Sequence, residues 1–468
     1  MFEPIYMKKE LSCAQIKTAL KELEKLNQKK LEKAARKAPL PDIRSGAARL
    51  LTDEAVLLDL ARNDPDEGVQ LTCVDCMKDP ASLKIVASNH RSAKARVRAI
   101  RRIRDKAFLH LLALHEDDKE AGEAAVNGFS DDIALCIDVI NRADNPDIRA
   151  RAVYAPDPAA WDKDLLYRLA KEHPVPAVRS AAASRLRNDP AFMEQIARED
   201  PDGGVRKKAA ELIADPATLV KIGLEDPDGS VRAKAAEQLT DQTALAKIGL
   251  TDPDPRPVRI AVGNLLRCII HGGPGLEKTP EVLAFAAKIA LGRVDLSNPR
   301  EITNRINYYH DIFMDVPALQ IRINFCACVE DQAALAEIAL NDPDAHMRLV
   351  AIGRLEDQEI LAQVVINETG KGRGNNAPNA ALRITDQAVL ARLIIQGFET
   401  SSVYGLTDQD ALSEVALHAG SFMTRGAAAE RLNDIALLKE IAQNDEQESV
   451  RRDALKRIEE LERDAERQ

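Results

Sequence analysis

Residue types that could carry out catalysis or bind a metal occur in this sequence, but their spacing does not form a recognisable site. Cys73 and Cys76 make a CxxC pair, which is half of the ligand set of a structural zinc site. No second pair stands at zinc-ligand spacing, and a similar stretch of the chain has Ala235 in place of Cys73. His310 and Asp311, beside two tyrosines, are the only cluster that suggests catalysis. We therefore predict no catalytic residues, no metal site and no cofactor.

Sequence motifs of hydrolases and of phosphate-binding loops are missing as well. The sequence contains no GxSxG, GxGxxG or P-loop motif. The glycine-rich stretch NETGKGRGNN, residues 367–376, lacks the Gly-Lys-Ser/Thr ending of a P-loop. This stretch is typical of a flexible surface loop, although Lys371 and Arg373 could also contact an anionic partner. The sequence alone leaves both interpretations open.

The strongest charge pattern lies in RSAKARVRAIRRIRDK, residues 91–106, where eight basic residues accompany one aspartate. Five of them recur at helical spacings of three and four and would form one basic stripe: Arg91, Lys94, Arg98, Arg101 and Arg102. The stripe could be a solvated helix face, a site for an acidic protein, or a site for a nucleic-acid backbone. Nucleic acid is the least favoured, because the neighbouring units do not continue the basic tract and HEDDKEAGE follows it.

A repeat supplies the elements that must position these residues. The stretch from Asp226 to Asp254 begins and ends with Asp-Pro-Asp, and aligning the chain on its apolar–Arg pairs gives steps that are mostly 26 or 27 residues. Such steps make about fifteen units. In one unit Val231, Ala235 and Leu239 line one face of a first helix, and a second helix follows. Neither helix can bury its apolar face alone, so we predict an all-α fold, an α-solenoid of stacked two-helix repeats.

Each Asp-Pro-Asp is followed by an arginine at a fixed distance. The pairs six residues apart are Asp200 and Arg206, Asp226 and Arg232, Asp342 and Arg348, and Asp445 and Arg451. This pattern, DPDxxVRxxAxxxL over roughly residues 42–460, resembles the HEAT-repeat family, and the short unit is also similar to the bacterial leucine-rich variant repeat. The resemblance implies that aspartate and arginine form a structural ladder between adjacent repeats. It also implies a protein-binding scaffold, although some HEAT-like proteins bind nucleic acid or act as DNA glycosylases.

The leucine-rich variant family can carry an iron–sulfur cluster on N-terminal cysteines. Here only Cys13 precedes the array, so no cluster is expected. We divide the chain into an N-terminal capping region with one polar helix, regular HEAT-like repeats, an irregular insertion or degraded repeats, and further repeats with a C-terminal cap. These are residues 1–41, 42–267, 268–316 and 317–468.

The irregular segment 268–316 concentrates aromatic residues in a chain that has only 3% of them. They are Phe285, Tyr308, Tyr309 and Phe313. The segment is either two degraded repeats that repack with larger side chains, or a binding feature in which aromatic residues anchor a partner. We retain Tyr308, Tyr309 and Phe313 as candidate binding residues.

The overall composition favours a cytoplasmic protein. The net charge is −10 and the pI about 5.5, which disfavours polyanion binding by the chain as a whole. No apolar run could span a bilayer, and the N-terminus does not resemble a secretory signal. We therefore expect a non-catalytic scaffold that binds another protein or a peptide on the concave side of the solenoid, with no membrane partner. The alternative is a nucleic-acid-associated, DNA glycosylase-like protein that uses the stripe at 91–106.

Overall fold

The computed structural model describes five stretches of the chain, residues 4–270, 275–296, 318–371, 376–398 and 403–467. Every regular element in these stretches is helical, so the predicted all-α class is confirmed. The chain divides into two compact units, Met1–Ala214 and Asp215–Gln468.

Two kinds of helix alternate within each unit. An A helix contains the apolar–Arg pair or its equivalent position, and a B helix follows it after a short turn. The A helices of the first unit are Cys13–Leu23, Pro41–Ala48, Glu67–Cys76, Ala93–Ile100, Lys119–Asn127, Pro146–Tyr154, Pro176–Arg185 and Gly203–Ala210. The B helices of this unit are Gln28–Lys37, Glu54–Asn63, Pro80–Asn89, Lys106–His115, Ile133–Arg142, Lys163–Glu172 and Pro190–Glu199.

The second unit continues the alternation and begins with a B helix. Its B helices are Pro216–Glu225, Gln242–Thr251, Pro280–Ala290, Gln332–Asn341, Gln358–Lys371, Gln387–Ile395, Gln409–His418 and Ile435–Asn444. Its A helices are Gly229–Gln238, Pro255–Ile270, Ala318–Cys326, Ala345–Ile352, Ala377–Ala381, Phe422–Ala429 and Glu448–Arg467. Short 3-10 turns occupy Ile5–Met7, Pro158–Ala160 and Val403–Gly405, the last of them at an A position.

The basic building block is a hairpin made of a B helix and the A helix that follows it. Glu54–Asn63 packs against Glu67–Cys76 across a three-residue turn, and Glu67–Cys76 also packs against the A helices Pro41–Ala48 and Ala93–Ile100. The sequence pattern begins each unit at the A helix and does not predict which helices pair. The Asp-Pro-Asp turn is the connection that folds a B helix and the next A helix back on each other. Contacts between successive hairpins build an α-solenoid in each unit, as predicted.

Each residue of the Asp-Pro-Asp turn contributes to the local structure in a different way. The first aspartate accepts a hydrogen bond from the N–H two residues on, as Asp226 does from Asp228 at 2.8 Å. Proline disfavours helix in the residue before it and so ends the B helix. The second aspartate caps the A helix, since Asp228 accepts from Ser230 N at 2.7 Å. Asp241 caps the next B helix in the same way, 2.9 Å from Ala244 N.

The N-terminal region folds into two helices, where the sequence predicted one polar helix over residues 8–38. Ser12 and Gln15 form a reciprocal capping box on the first helix, and Asn27 caps the second by accepting from Lys30 N at 3.0 Å. Gln28 then donates to Leu50 O at 3.0 Å, a contact that later B helices repeat. Two caps inside one polar stretch divide it, so this region is a first A and B helix.

The irregular segment 268–316 is partly regular. Pro280–Ala290 takes a B position and packs against Gln242–Thr251 and Ala318–Cys326. Its Phe285 is completely buried, so this aromatic residue belongs to the core and is not a partner anchor. Residues 297–317 lie outside the described stretches, and Tyr308, Tyr309 and Phe313 are among them.

Candidate interaction surfaces

The repeated arginine of the A helix joins neighbouring hairpins. Arg232 donates from Nε and Nη2 to the carboxylate of Asp252, both at 2.7 Å, and Asp252 lies twenty residues further on. Its Nη1 donates to the main-chain oxygen of Asp226, six residues earlier, at 2.7 Å. The six-residue pairs of the sequence are therefore joined through the main chain, and the carboxylate partner comes from the next hairpin.

The same geometry recurs in both units, and we call it the arginine ladder. Its carboxylate contacts join Arg44 to Asp64, Arg179 to Asp200, Arg322 to Asp342, Arg348 to Glu368, and Arg425 to Asp445. Main-chain contacts of 2.9, 2.9 and 2.7 Å link Arg206 to Asp200, Arg348 to Asp342, and Arg451 to Asp445. The carboxylate of Asp252 raises the pKa of Arg232, and Arg425 lowers the pKa of Asp445. These charges neutralise one another inside the array and hold the hairpins together.

Two turns replace the first aspartate of the ladder with histidine. Nδ1 of His90 accepts from Ser92 N at 3.0 Å, and Nδ1 of His173 accepts from Val175 N at 3.1 Å. His90 Nε2 lies 2.7 Å from the main-chain oxygen of Ala61, so Nε2 carries the proton. Both rings are buried. A neutral imidazole thus reproduces the acceptor of the aspartate.

The two histidines face different partners. Position 90 lies twenty residues after Gln70, which is neutral, whereas His173 still faces the ladder residue Arg149. Burial lowers the pKa of His173, and the charges of Arg149 and Arg179 lower it further. The stability that neutral His173 contributes is therefore present above the ordinary pKa of 6.5 and is lost as the pH falls through that value toward its lowered folded-state pKa.

We expect His173→Asp to stabilise the first unit by about 1 kcal/mol at neutral pH, because Arg149 gains a carboxylate partner. His90→Asp is the matched control: it should destabilise by about 1–3 kcal/mol, because the ladder residue twenty positions earlier is the neutral Gln70 and supplies no cation to a buried carboxylate. Denaturant melts of both variants at neutral and mildly acidic pH measure the effects. Equal changes of the same sign in the free energy of unfolding of the two variants would show that pairing with the ladder arginine does not decide the effect.

The predicted basic stripe is partly neutralised by the preceding A helix. Lys94 Nζ lies 3.6 Å from a carboxylate oxygen of Glu67, and Arg98 forms an ion pair with Asp75. Both acids belong to Glu67–Cys76, the A helix that packs against the stripe. Surface pairs of this kind contribute little stability, but they reduce the positive field that a nucleic-acid backbone would meet.

Arg102 has a structural position. Its Nη1 donates to the main-chain oxygens of Val74 and Asp75 at 2.6 and 2.9 Å, and Nη2 bonds to Met77 O. Arg91 and Arg101 are exposed. The five residues of the stripe thus share one helix region, but they do not form one uncompensated surface.

The remaining candidate residues of the sequence analysis lie in the core, at a helix end, or outside the described stretches. Burial raises the pKa of Cys73 to about 12, which suits a packed thiol and not a metal ligand. Among the described residues no three His, Cys, Asp or Glu side chains are grouped as metal ligands. Lys371 ends the helix Gln358–Lys371, and Arg373 lies outside the described stretches. No helix in the described part of the chain is long and apolar enough to cross a bilayer.

Two exposed apolar residues were missed by the sequence analysis. Leu382 and Tyr404 are 82% and 72% exposed. Both stand four residues before the aspartate that caps a B helix, a position that holds Arg101, Gly353 and Glu430 in other repeats. Aligning the repeats on the Asp-Gln pair that starts many B helices would have revealed this substitution of apolar for polar residues.

Comparisons with known proteins add little beyond this geometry. No family model and no curated protein matches the chain. The karyopherin Kap121p, bound to the extreme C-terminus of the protein phosphatase Cdc14p, matches with 13% identity and a TM-score of 0.29, covering 96% of this chain and 63% of that one. Importin beta matches with 14% identity and a TM-score of 0.22, covering 94% and 63%. Human Puf-A matches with 13% identity and a TM-score of 0.14, covering 96% and 80%.

The chain therefore spans about 63% of the length of the two transport-receptor structures. The fold assignment rests on the chain's own helix packing. In each of its two units the chain is an α-solenoid of short two-helix hairpins, the architecture that the resemblance to HEAT-like repeats implied.

Proposed function

We propose that the chain is a non-catalytic scaffold that binds an extended segment of another protein along its A helices. The observation that carries this proposal is the stacking of equivalent positions: successive A helices pack directly on each other in both units. Residues at one position of the repeat are therefore aligned in a row. A partner can contact several hairpins, with its binding energy spread along the row.

The packing also favours one face for binding. In most neighbouring hairpins the A helices make closer contact than the B helices do; Gln242–Thr251 and Pro280–Ala290 are a closely packed exception among the B helices. A stack curves toward its more closely packed layer, so the A helices would line the concave side. Because ladder charges are already paired, specificity would come from the exposed positions of A helices and from the turns after them.

The boundaries inferred from the sequence remain part of the proposal, with 1–41 and the C-terminal end as caps and 268–316 as an irregular segment. We also propose a cytoplasmic location. All seven cysteines are free thiols, and a reducing compartment keeps thiols in that state.

Affinity capture on the immobilised full chain, followed by reconstitution with each purified candidate, tests the proposed function. We expect a stoichiometric protein complex that survives nuclease treatment and persists at physiological salt. Recovery of nucleic acid alone, or loss of every protein after nuclease treatment, would contradict the scaffold function.

The alternative is nucleic-acid association through the stripe, in which Arg91 and Arg101 are the exposed cations that make no side-chain ion pair or hydrogen bond with another described residue. It predicts binding that weakens steeply with salt. We expect duplex DNA and RNA to bind weakly, and the double variant R91Q/R101Q to retain any captured protein. Tight nucleic-acid binding that this variant abolishes would instead support the alternative.

A further inference from the structure

The turns that lead from an A position to the next B helix are stacked on one another in the second unit. Gln358 Oε1 accepts from Thr385 N at 2.7 Å, and Gln387 Oε1 accepts from Thr407 N at 2.7 Å. Each glutamine starts a B helix and bonds to the turn of the following repeat. The turns at 353–357, 382–386 and 404–408 therefore follow one another in space as they do in sequence.

Leu382 and Tyr404 lie at the outer corner of two adjacent turns in this stack. Elsewhere in the chain the corner position is polar or glycine in many repeats: Arg49, Asp75, Arg101, Glu211, Glu237, Gly353 and Glu430. Single exposed apolar residues are ordinary, but two large ones at neighbouring corners form a patch that a partner could cover. Tyrosine is also among the residues that most often dominate binding energy at interfaces.

Positive charge accompanies the two apolar corners. Arg354 Nε donates to Val329 O at 2.9 Å, Arg383 Nη2 donates to Leu355 O at 2.8 Å, and Arg431 Nη1 donates to Val403 O. The Arg431 guanidinium carbon lies 6.0 Å from the centre of the Tyr404 ring.

The acceptors of these three arginines are carbonyl oxygens, which carry no net charge. Within the described stretches no carboxylate lies in ion-pair distance of Arg354, Arg383 or Arg431. Arg102 of the stripe makes the same kind of main-chain contact, but its neighbours Lys94 and Arg98 are ion-paired. Lys278 and, to a smaller extent, Arg354 lower the pKa of Glu330, so Glu330 offsets part of the Arg354 charge. The charges of Arg383 and Arg431 remain available to a partner. Carboxylates are the natural complement, because a guanidinium binds them through strong, charge-assisted hydrogen bonds.

The spacing of the turns limits the shape of the partner. Adjacent packed helices lie about 8–10 Å apart, and an extended polyproline II segment advances about 3.1 Å per residue with about three residues per turn. Side chains three residues apart on such a segment lie on one face, about 9 Å apart, and would therefore meet successive corners. Acidic residues between and beside them would reach the arginines.

We propose that Leu382 and Tyr404, with Arg354, Arg383 and Arg431, form a docking strip for an extended acidic segment of a partner protein that carries apolar residues three positions apart. This inference rests on the proposed scaffold function and specifies the partner's chemistry. The charge of the strip and the exposure of its two apolar residues both favour this occupant.

Fluorescence anisotropy of labelled synthetic peptides with the full chain tests the strip. The probe peptide is acidic and has leucine and phenylalanine three positions apart. One comparison peptide has the same composition with the two apolar residues adjacent, and another has lysine in place of each acidic residue. We expect the probe to bind at least about tenfold more tightly than either comparison peptide, a difference that corresponds to about 1.4 kcal/mol.

The variant L382S/Y404S should lose about tenfold in affinity for the probe. Leu111→Ser is the matched control, because Leu111 is 61% exposed and lies in the other unit; it should bind as the unchanged chain does. Circular dichroism and thermal melts verify that both variants fold. Equal affinity for the three peptides, or unchanged affinity of L382S/Y404S for the probe, would overturn the proposed docking strip.

Two further outcomes separate this inference from the proposed function. If a captured protein partner remains bound to L382S/Y404S, the scaffold function stands and the strip is wrong. If a labelled single-stranded oligonucleotide binds more tightly than the probe and is lost in L382S/Y404S, the strip belongs to nucleic acid and the peptide proposal is overturned.

Discussion

Replacing Arg348 with alanine is expected to lower the free energy of unfolding of the second unit by about 3–5 kcal/mol. Arg348 is 1% exposed, and it donates from Nε to Glu368 at 2.7 Å and from Nη1 to Asp342 O at 2.9 Å. Its removal leaves the buried carboxylate of Glu368 without a cation among the described residues. The cost comes from that uncompensated charge more than from the loss of one contact.

Denaturant unfolding followed by circular dichroism measures this loss. Arg36→Ala is the control, because Arg36 pairs with Asp59 at an exposed site and should cost less than about 0.5 kcal/mol. The double variant R348M/E368L should recover much of the loss, since it removes both charges together. A result in which Arg348→Ala is as mild as Arg36→Ala would contradict a structural ladder.

Replacing Phe285 with alanine should destabilise the second unit by about 3–5 kcal/mol, because its ring is completely buried and its removal leaves a cavity. The ring lies against Gly249, where an added Cβ would overlap it. Gly249→Ala should therefore destabilise the unchanged chain. In the Phe285→Ala background the same change meets no ring and should cost much less.

The double-mutant cycle of these two changes gives the coupling between helices Gln242–Thr251 and Pro280–Ala290. Phe422→Ala provides the comparison, since Phe422 is 46% exposed and should cost less than about 0.5 kcal/mol. Additive effects of Gly249→Ala and Phe285→Ala would show that Pro280–Ala290 does not take a B position.

Much of the fold could be predicted because helix-capping residues recur at fixed positions of the repeat. Residue type and position indicate Asp241 as an N-cap, and the structure places its carboxylate on Ala244 N at 2.9 Å. The pairing of helices was not predictable in the same way. The apolar faces of A and B helices must both be buried against another helix. The periodicity of their apolar residues does not identify which helix that is.

The candidate site was less predictable, because it depends on contacts between repeats. The stripe at 91–106 has a high local charge, but the acids that compensate it, Glu67 and Asp75, belong to another helix. Leu382 and Tyr404 were missed for a different reason. They belong to the two least regular repeats, those of Ala377–Ala381 and Val403–Gly405. These repeats lack the apolar–Arg pair on which the alignment was based.

Hydrogen–deuterium exchange of the Arg44→Ala variant tests nearest-neighbour stacking most directly. Arg44 binds Asp64 of the next hairpin at 2.8 and 2.9 Å. We expect faster exchange in Pro41–Ala48 and in the hairpin of Glu54–Asn63 and Glu67–Cys76, with little change from Ile133 onward. Faster exchange spread evenly through the first unit would contradict an array held together by contacts between adjacent hairpins.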